Sequence, residues 1–304
     1  MEIKYLGDYS WKSNIINDIP NIGRVKIGVI DGPINELLFN KFREKRDFSG
    51  KPNIDLSAIH TAAVCSIIND IAPASEIYIA QVSDKDNVPM STSNIINALK
   101  WLVIEKKVNL INMSLGFYEN CKGDCNWEKR FKKLKEEYKV DVIVSAGNTS
   151  EKHPDDSITC PGCSSSAITV GALDSSNKID TRINLRSIIP EKPEIYANGN
   201  ISIKLLDDTW REISGTSFSA PIITGLISKH YFNLNNDMNY PIALNNLKNL
   251  KSYFERFPDI IDKLEGTIAL ADKKYPNITS IEKQEILDML NSLMPYTYEK
   301  TALK

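Results

Sequence analysis

The sequence contains no apolar run of the ~20 residues that a helix needs to cross a bilayer, and it has little net charge. The formal charge is −2 at pH 7, so no overall field draws the chain to nucleic acid or to anionic lipid. The first residues, MEIKYLGDYSWKS, include early acidic groups and lack the apolar core of a secretory signal. We therefore expect a cytoplasmic protein that binds neither nucleic acid nor a membrane.

Cysteine is also scarce, with five in 304 residues. Four of the five lie in two close pairs, Cys121 with Cys125 and Cys160 with Cys163. In a reducing compartment, such pairs indicate metal ligands or free thiols more often than disulfides. The fifth, Cys65, lies in the apolar stretch AAVCSII and is interpreted as a small buried hydrophobic residue.

Short β-branched runs alternate with segments of helical periodicity along most of the chain. Such alternation with buried strands predicts an α/β fold, with a three-layer, mostly parallel sheet covered by helices on both faces. We predict strands at residues 24–31, 76–82, 108–116, 140–148 and 167–173, and helices at 60–70, 91–107, 126–139 and after Ser217.

The chain length of 304 residues suits one large domain with an appendage. We predict an N-terminal segment (1–24), a main domain (25–231) and a helical C-terminal extension (232–304) packed on it. Within the extension, residues 239–257 and 279–294 have amphipathic helical patterns.

Three of the predicted strands end at Asp31, Gly116 and Asn148, and ligands of parallel sheets bind outside these carboxyl ends. A buried carboxylate at Asp31 needs a partner, and a histidine N–H would satisfy it. Of the three histidines, His60 begins a predicted helix; alone, it is equally typical of a capping or partly buried histidine. Ser217 precedes an apolar helix and is either an N-cap or a nucleophile at a helix N-terminus.

These residues in combination predict nucleophilic catalysis. Ser217 would lose its proton to His60 while attacking a carbonyl, and Asp31 would hold the histidine tautomer. The amide of Asn148 and the backbone N–H of Ser217 would stabilise the developing oxyanion. No cofactor is required for this chemistry.

Six motifs occur in the order of the subtilisin-like serine peptidases, and the match covers about residues 25–229. They are VIDGP, HTAAVCSII, IAPASEIYIAQV, INMSLG, VIVSAGN and SGTSFSAP. The chain resembles that family, which implies a triad of Asp31, His60 and Ser217 and an oxyanion hole at Asn148. It also implies that Ser114, Leu115 and Gly116 bind an extended peptide by strand addition.

The sequence departs from the family pattern at two motifs. Asp31-Gly32-Pro33 replaces Asp-Ser/Thr-Gly, so a hydroxyl beside the carboxylate is missing. It resembles the motif of family members that cut ribosomal peptide precursors. Thr61 replaces the glycine that usually follows the histidine, and we expect this change to affect the tilt of the helix that carries His60. We expect neither the calcium loop nor the long prodomain of secreted members, which would fit an intracellular enzyme that matures without autoprocessing.

The resemblance places both cysteine pairs beside the pocket for the residue before the cut. The four thiols, Cys121, Cys125, Cys160 and Cys163, could hold a structural zinc ion, form a disulfide clip or remain free, and His153 is a spare ligand. The acidic residues of the same loop, Glu151, Asp155 and Asp156, either favour a basic substrate residue or form a solvated loop.

Two functions remain from the sequence. The first is a serine endopeptidase acting through an acyl-enzyme on a peptide or protein, with a specific peptide precursor as its substrate. The second is a catalytically impaired fold that binds peptides without cutting them, and only the departure beside His60 favours it.

Overall fold

The computed structural model describes most of the first three quarters of the chain. The described residues are 1–6, 25–50, 58–84, 91–118, 125–149, 157–176, 178–185, 189 and 192–231. The chain forms two compact units, Met1–Asp8 with Gly23–Ser228, and Tyr9–Ile22 with Lys229–Lys304. The helices predicted at 239–257 and 279–294 lie outside the described residues, and the predicted domain boundaries stay a prediction.

Ten strands form two sheets in the described part of the chain. The strands are β1 (Ile3–Tyr5), β2 (Lys26–Asp31), β3 (Glu44–Asp47), β4 (Glu76–Gln81), β5 (Leu110–Met113), β6 (Asp141–Ser145), β7 (Ile168–Leu173), β8 (Ile195–Asn198), β9 (Asn200–Lys204) and β10 (Trp210–Ser214). The central sheet is parallel, with the order β3-β4-β2-β5-β6-β7-β8, and a small antiparallel sheet has the order β1-β9-β10. The α/β prediction is confirmed.

Three of the described α-helices lie between strands of the parallel sheet, and the fourth follows β10. They are α1 (His60–Ile71), α2 (Thr92–Lys100), which continues into a π-helix at Trp101–Glu105, α3 (Asn126–Tyr138) and α4 (Thr216–Tyr231). The single helix predicted at 91–107 therefore ends in a wider turn, in which the N–H of Lys106 donates to the carbonyl of Trp101. This turn keeps the Trp101 side chain buried, with its ring 5.8 Å from that of Phe48.

One face of the central sheet packs against α2, the π-helix and α3. Ile111 and Met113, alternate residues of β5, share an apolar cluster with Leu102 of the π-helix and Phe131 of α3. Alternate residues of a strand point to opposite faces, so Leu110 and Asn112 point to the other layer.

The second face packs against α4. The hydroxyl of Thr224 in α4 donates to Oδ1 of Asn112, at 2.9 Å. A Cβ at Gly225 would lie 2.9 Å from Cβ of Ile71, so α1 and α4 pack directly together. The sheet is therefore covered on both faces, as its buried strands require.

None of the described helices combines the length and the apolar composition required to span a bilayer.

The start of α3 is joined to the loop before β7 by one carboxylate. Glu128 accepts hydrogen bonds from the hydroxyls of Ser164, Ser165 and Ser166 and from the backbone N–H of Ser166. Burial alone raises the pKa of Glu128, but these bonds outweigh it and lower the pKa from 4.5 to about 2. The ionised form therefore stabilises the fold.

We predict that Glu128→Gln lowers the free energy of unfolding at pH 7 by about 1 kcal/mol, since the carboxylate is partly exposed. A depressed pKa gives stability that is present above the unfolded-state pKa and is lost as the pH falls through the folded-state pKa. The difference between variant and parent should therefore shrink between pH 4.5 and about pH 2, as measured by denaturant unfolding. The exposed Glu137→Gln on the same helix is the control, and a difference that does not change with pH would contradict the prediction.

Candidate active site

Three neighbouring strands deliver polar residues to one edge of the central sheet. Asp31 is the last residue of β2, Ser114 directly follows β5, and Asn148 lies three residues after the end of β6. Since β2, β5 and β6 are parallel neighbours, their carboxyl ends lie side by side. This is the edge at which parallel sheets bind ligands.

Asp31 and His60 form a buried pair at this edge. Asp31 Oδ1 lies 3.0 Å from Nδ1 of His60, the first residue of α1, and accepts from the Gly32 N–H at 2.7 Å. The side chains are only 6% and 12% exposed, respectively. An ionised carboxylate can only accept, so the proton lies on Nδ1 and Nε2 is left as the basic nitrogen.

The surroundings of the second oxygen of Asp31 are consistent with the first departure from the family pattern, Asp31-Gly32-Pro33 in place of Asp-Ser/Thr-Gly. Oδ2 is buried and has no hydrogen-bond partner among the described residues. Gly32 stands where the family motif has a hydroxyl, so the side chain that would approach this carboxylate is missing. The orientation of Asp31 therefore depends on Oδ1 and its two donors.

The second departure has a structural use. Thr61, which replaces the usual glycine, is fully buried, and its hydroxyl donates to the carbonyl of Gly32 at 3.1 Å. This bond ties the first turn of α1 to the residue after Asp31. The expected effect on the tilt of α1 stays a prediction, and the contact between Asp31 and His60 is present.

Ser217 lies in the first turn of α4, which begins at Thr216, so it lies inside the helix and is not its N-cap. The next residue, Phe218, packs against His60 with ring centroids 5.4 Å apart. The imidazole therefore lies beside the nucleophile segment. The Ser217 hydroxyl donates to the carbonyl of Ser114 at 3.3 Å, a long bond that is easily exchanged for another partner.

A proline explains how the Ser217 backbone is held. Pro221 lies four residues after Ser217 inside α4, and it has no N–H to give to the Ser217 carbonyl. The Ser114 hydroxyl donates to that carbonyl instead, at 2.8 Å. Asn112 Nδ2 in turn donates to Ser114 Oγ at 3.0 Å, and Thr224 holds the Asn112 Oδ1. This chain of bonds fixes the end of β5 against the start of α4.

The Asn148 side chain also contacts the start of α4. Its Oδ1 accepts from the N–H and the hydroxyl of Thr216, at 2.9 and 3.0 Å, so Nδ2 is the group available to a ligand. Gly215 has a φ of +152°, and a Cβ there would lie 3.1 Å from this Nδ2. Glycine is therefore required beside the amide. The Ser217 N–H lies in the same turn, where helical N–H groups lack intrahelical acceptors.

The segment predicted to bind peptide, Ser114, Leu115 and Gly116, runs along the same edge. A Cβ at Gly116 would lie 2.2 Å from Oγ1 of Thr159, so the chain lies directly on Thr159. The following residue, Phe117, exchanges two backbone hydrogen bonds with Cys160, at 2.7 and 3.0 Å. The segment is thus held at its end by the loop that contains the second cysteine pair.

Three of the four paired cysteines converge. The Sγ atoms of Cys125, Cys160 and Cys163 all lie within 4.8 Å of one another, and all three are free thiols. The contact with Cys163 and burial raise the pKa of the Cys160 thiol. Cys65 is buried apart from them in α1, as predicted.

The remaining predicted residues of this region lie outside the described residues. They are Cys121, Glu151, His153, Asp155 and Asp156.

A parallel sheet with an aspartate, a histidine and a serine at one edge, in this chain order, defines the subtilisin-like class of α/β proteins. The chain belongs to the subtilase family, because the sequence model of the Subtilase family matches residues 25–240.

Curated relatives include a cuticle-degrading serine protease of Orbilia oligospora, which is 30% identical over 145 residues, covering 45% of this chain and 30% of the relative. Subtilisin NAT of Bacillus subtilis subsp. natto is 28% identical over 181 residues, covering 56% of this chain and 45% of the relative. The chain spans less than half the length of these relatives.

Among solved structures, that of the prenylagaramide maturation protease PagA is similar, with a TM-score of 0.59 and 22% identity. The superposition covers 78% of this chain and 84% of the PagA chain. This likeness shows a shared fold.

Sequence reasoning missed the residues that position the candidate triad. Thr61 stands out in the sequence only as a departure from the family pattern, and Asn112 and Thr224 do not stand out at all. One signal is present: Pro221, four residues after Ser217, leaves a carbonyl that needs another donor. No sequence pattern identifies Ser114 as that donor, since the contact spans 103 residues.

We predict that Thr61→Val lowers the free energy of unfolding by about 1–3 kcal/mol, because it leaves the buried Gly32 carbonyl without its donor. It should also shift the downfield NMR signal of the His60 Nδ1 proton, which reports the bond to Asp31 and would not move if Thr61 only filled space. Thr61→Ser keeps the hydroxyl and is the matched control. An unchanged proton signal in a folded Thr61→Val protein would show that Thr61 does not position His60.

Proposed function

We propose that this protein is a serine endopeptidase. The observation that carries the proposal is the convergence of three side chains at the carboxyl edge of the sheet. Asp31 holds Nδ1 of His60, and the imidazole packs on the residue that follows Ser217. A peptide-binding scaffold has no need for this combination, and the subtilase relatives support it.

In the proposed reaction, the Ser217 hydroxyl leaves its long bond to the Ser114 carbonyl and gives its proton to Nε2 of His60. Its oxygen attacks the carbonyl carbon of the scissile bond, and Asp31 stabilises the imidazolium that forms. His60 then returns the proton to the departing amine, leaving an acyl group on Ser217. Water, deprotonated by the same imidazole, hydrolyses this ester and restores the hydroxyl.

The oxyanion would be stabilised by two donors, a side-chain amide and a backbone N–H. Asn148 Nδ2 is directed away from Thr216 because its Oδ1 already accepts two hydrogen bonds there. The Ser217 N–H supplies the second donor at the positive end of α4. One such donor contributes roughly 10²–10³ in turnover.

The substrate would bind in extended form along Ser114–Gly116, adding a strand by backbone hydrogen bonds. Two features support a specific peptide precursor rather than bulk protein. Asp31-Gly32-Pro33 resembles the motif of precursor-cutting members, and PagA, which shares the fold, is described as a maturation protease. The free thiols in the described part of the chain are compatible with the cytoplasm, which stays a prediction.

We predict that a fluorophosphonate probe labels the protein covalently and that Ser217→Ala abolishes labelling, because the probe needs a serine activated by a base. Mass spectrometry of the intact protein measures the adduct. The exposed Ser176→Ala is the matched control and should label like the parent.

An unlabelled parent that still binds extended peptides, with its fold verified by circular dichroism, would contradict the proposal. It would favour the binding-module alternative.

The substrate class has its own test. We expect the protein to cut each member of a panel of ribosomal peptide precursors at one bond or none, and to leave denatured casein largely intact. Mass spectrometry of the products counts the cuts, with Ser217→Ala as the blank. Efficient cutting of casein at many bonds would support the proposed endopeptidase activity and contradict the proposed specificity for a peptide precursor.

A further inference from the structure

Three thiols lie close together beside the segment predicted to bind peptide, Ser114–Gly116, and none of them belongs to the proposed catalytic triad. Sγ of Cys163 lies 3.6 Å from Sγ of Cys125, and Sγ of Cys160 completes a group within 4.8 Å. Cys160 and Cys163 are each 1% exposed. The sulfurs therefore surround one buried point.

The sulfurs come from two chain segments. Cys125 occupies the N-cap position of α3, but its side chain makes no capping hydrogen bond. Its sulfur instead contacts Cys163, 38 residues further along the chain.

Other bonds hold the loop of Cys160 and Cys163 in place. The Thr169 hydroxyl donates to the Gly162 carbonyl at 2.5 Å, between the two cysteines. The buried Lys192 ammonium donates to Thr169 Oγ1 at 3.0 Å and to the Ala167 carbonyl at 2.9 Å. The two sulfurs are therefore positioned by a polar network that does not involve them.

The spacing of the sulfurs fits a metal better than a disulfide. A disulfide needs two sulfurs at about 2.05 Å, and it would leave the third thiol of this group unused. Tetrahedral zinc binds thiolates at about 2.3 Å, which places neighbouring sulfurs about 3.8 Å apart. The 3.6 Å separation of Cys125 and Cys163 is close to that edge.

We propose that Cys125, Cys160 and Cys163 bind a structural Zn²⁺ ion as thiolates. Each thiol gives up its proton on binding, and no electron is transferred. Cys121 lies outside the described residues, so the described part of the chain supplies three of the four ligands that tetrahedral zinc needs.

The zinc site would connect the start of α3 to the segment predicted to bind peptide, Ser114–Gly116. Cys160 is paired through its backbone with Phe117, which follows Gly116. A metal at the sulfurs would therefore fix one wall beside the peptide, at some distance from Ser217.

The test measures metal content, so its outcome is independent of whether the protein is a peptidase. Protein purified without chelator should contain about one zinc per chain by elemental analysis. Cys160→Ser and Cys163→Ser should lose most of it, while Cys65→Ala, which removes a buried thiol elsewhere, should retain it.

If the serine variants fail to fold, the parent protein still tests the proposal. Adding Co²⁺ to chelator-treated parent protein should produce the intense visible bands of tetrahedral cobalt and near-ultraviolet thiolate-to-metal charge transfer. Two thiols missing from titration of the unreduced, denatured parent would indicate a disulfide and overturn the proposal. All five thiols free with no metal bound, or iron and sulfide in place of zinc, would overturn it too.

Discussion

The hydrogen bond between Asp31 and His60 is the interaction on which the site depends. A carboxylate at the buried end of a parallel strand is costly unless a donor satisfies it, and the imidazole supplies that donor at 3.0 Å. Satisfying the acid also fixes the tautomer of the base. Oδ2 of Asp31 has no partner in the described part of the chain. The bond to His60 therefore contributes more to orienting this carboxylate than it would if a neighbouring hydroxyl also donated to it.

Around this pair, side-chain hydrogen bonds between separate elements hold the backbone in place. Pro221 removes a helical N–H, and the Ser114 hydroxyl donates in its place. Thr61 fills the position of a glycine and bonds to the backbone beside Asp31. In the first case, a side chain from another element replaces a missing backbone donor. In the second, a side chain of α1 adds a bond to the residue that follows β2. The segments that would bind peptide and carry the nucleophile are thereby locked together.

The sequence was informative where burial is strong. β2 and β6 are rich in β-branched residues and β5 is largely apolar, and the residues at their ends could be placed at one edge from the sequence alone. The strand β3 reads EKRD and β10 reads WREIS. Each lies at the edge of its sheet and is largely exposed, so neither needs an apolar run. Asn112 and Thr224 were equally hidden, since a buried polar pair 112 residues apart leaves no local pattern.

The chain order of the site has a consequence for biosynthesis. Asp31 lies in an early strand, whereas Ser217 lies in α4, after all seven strands of the parallel sheet. A ribosome therefore delivers the acid and the imidazole long before the hydroxyl, and the three groups can come together only after α4 has been made and has docked on the sheet. A chain that stops before residue 217 lacks this hydroxyl, so under the proposed function it could not attack a peptide bond.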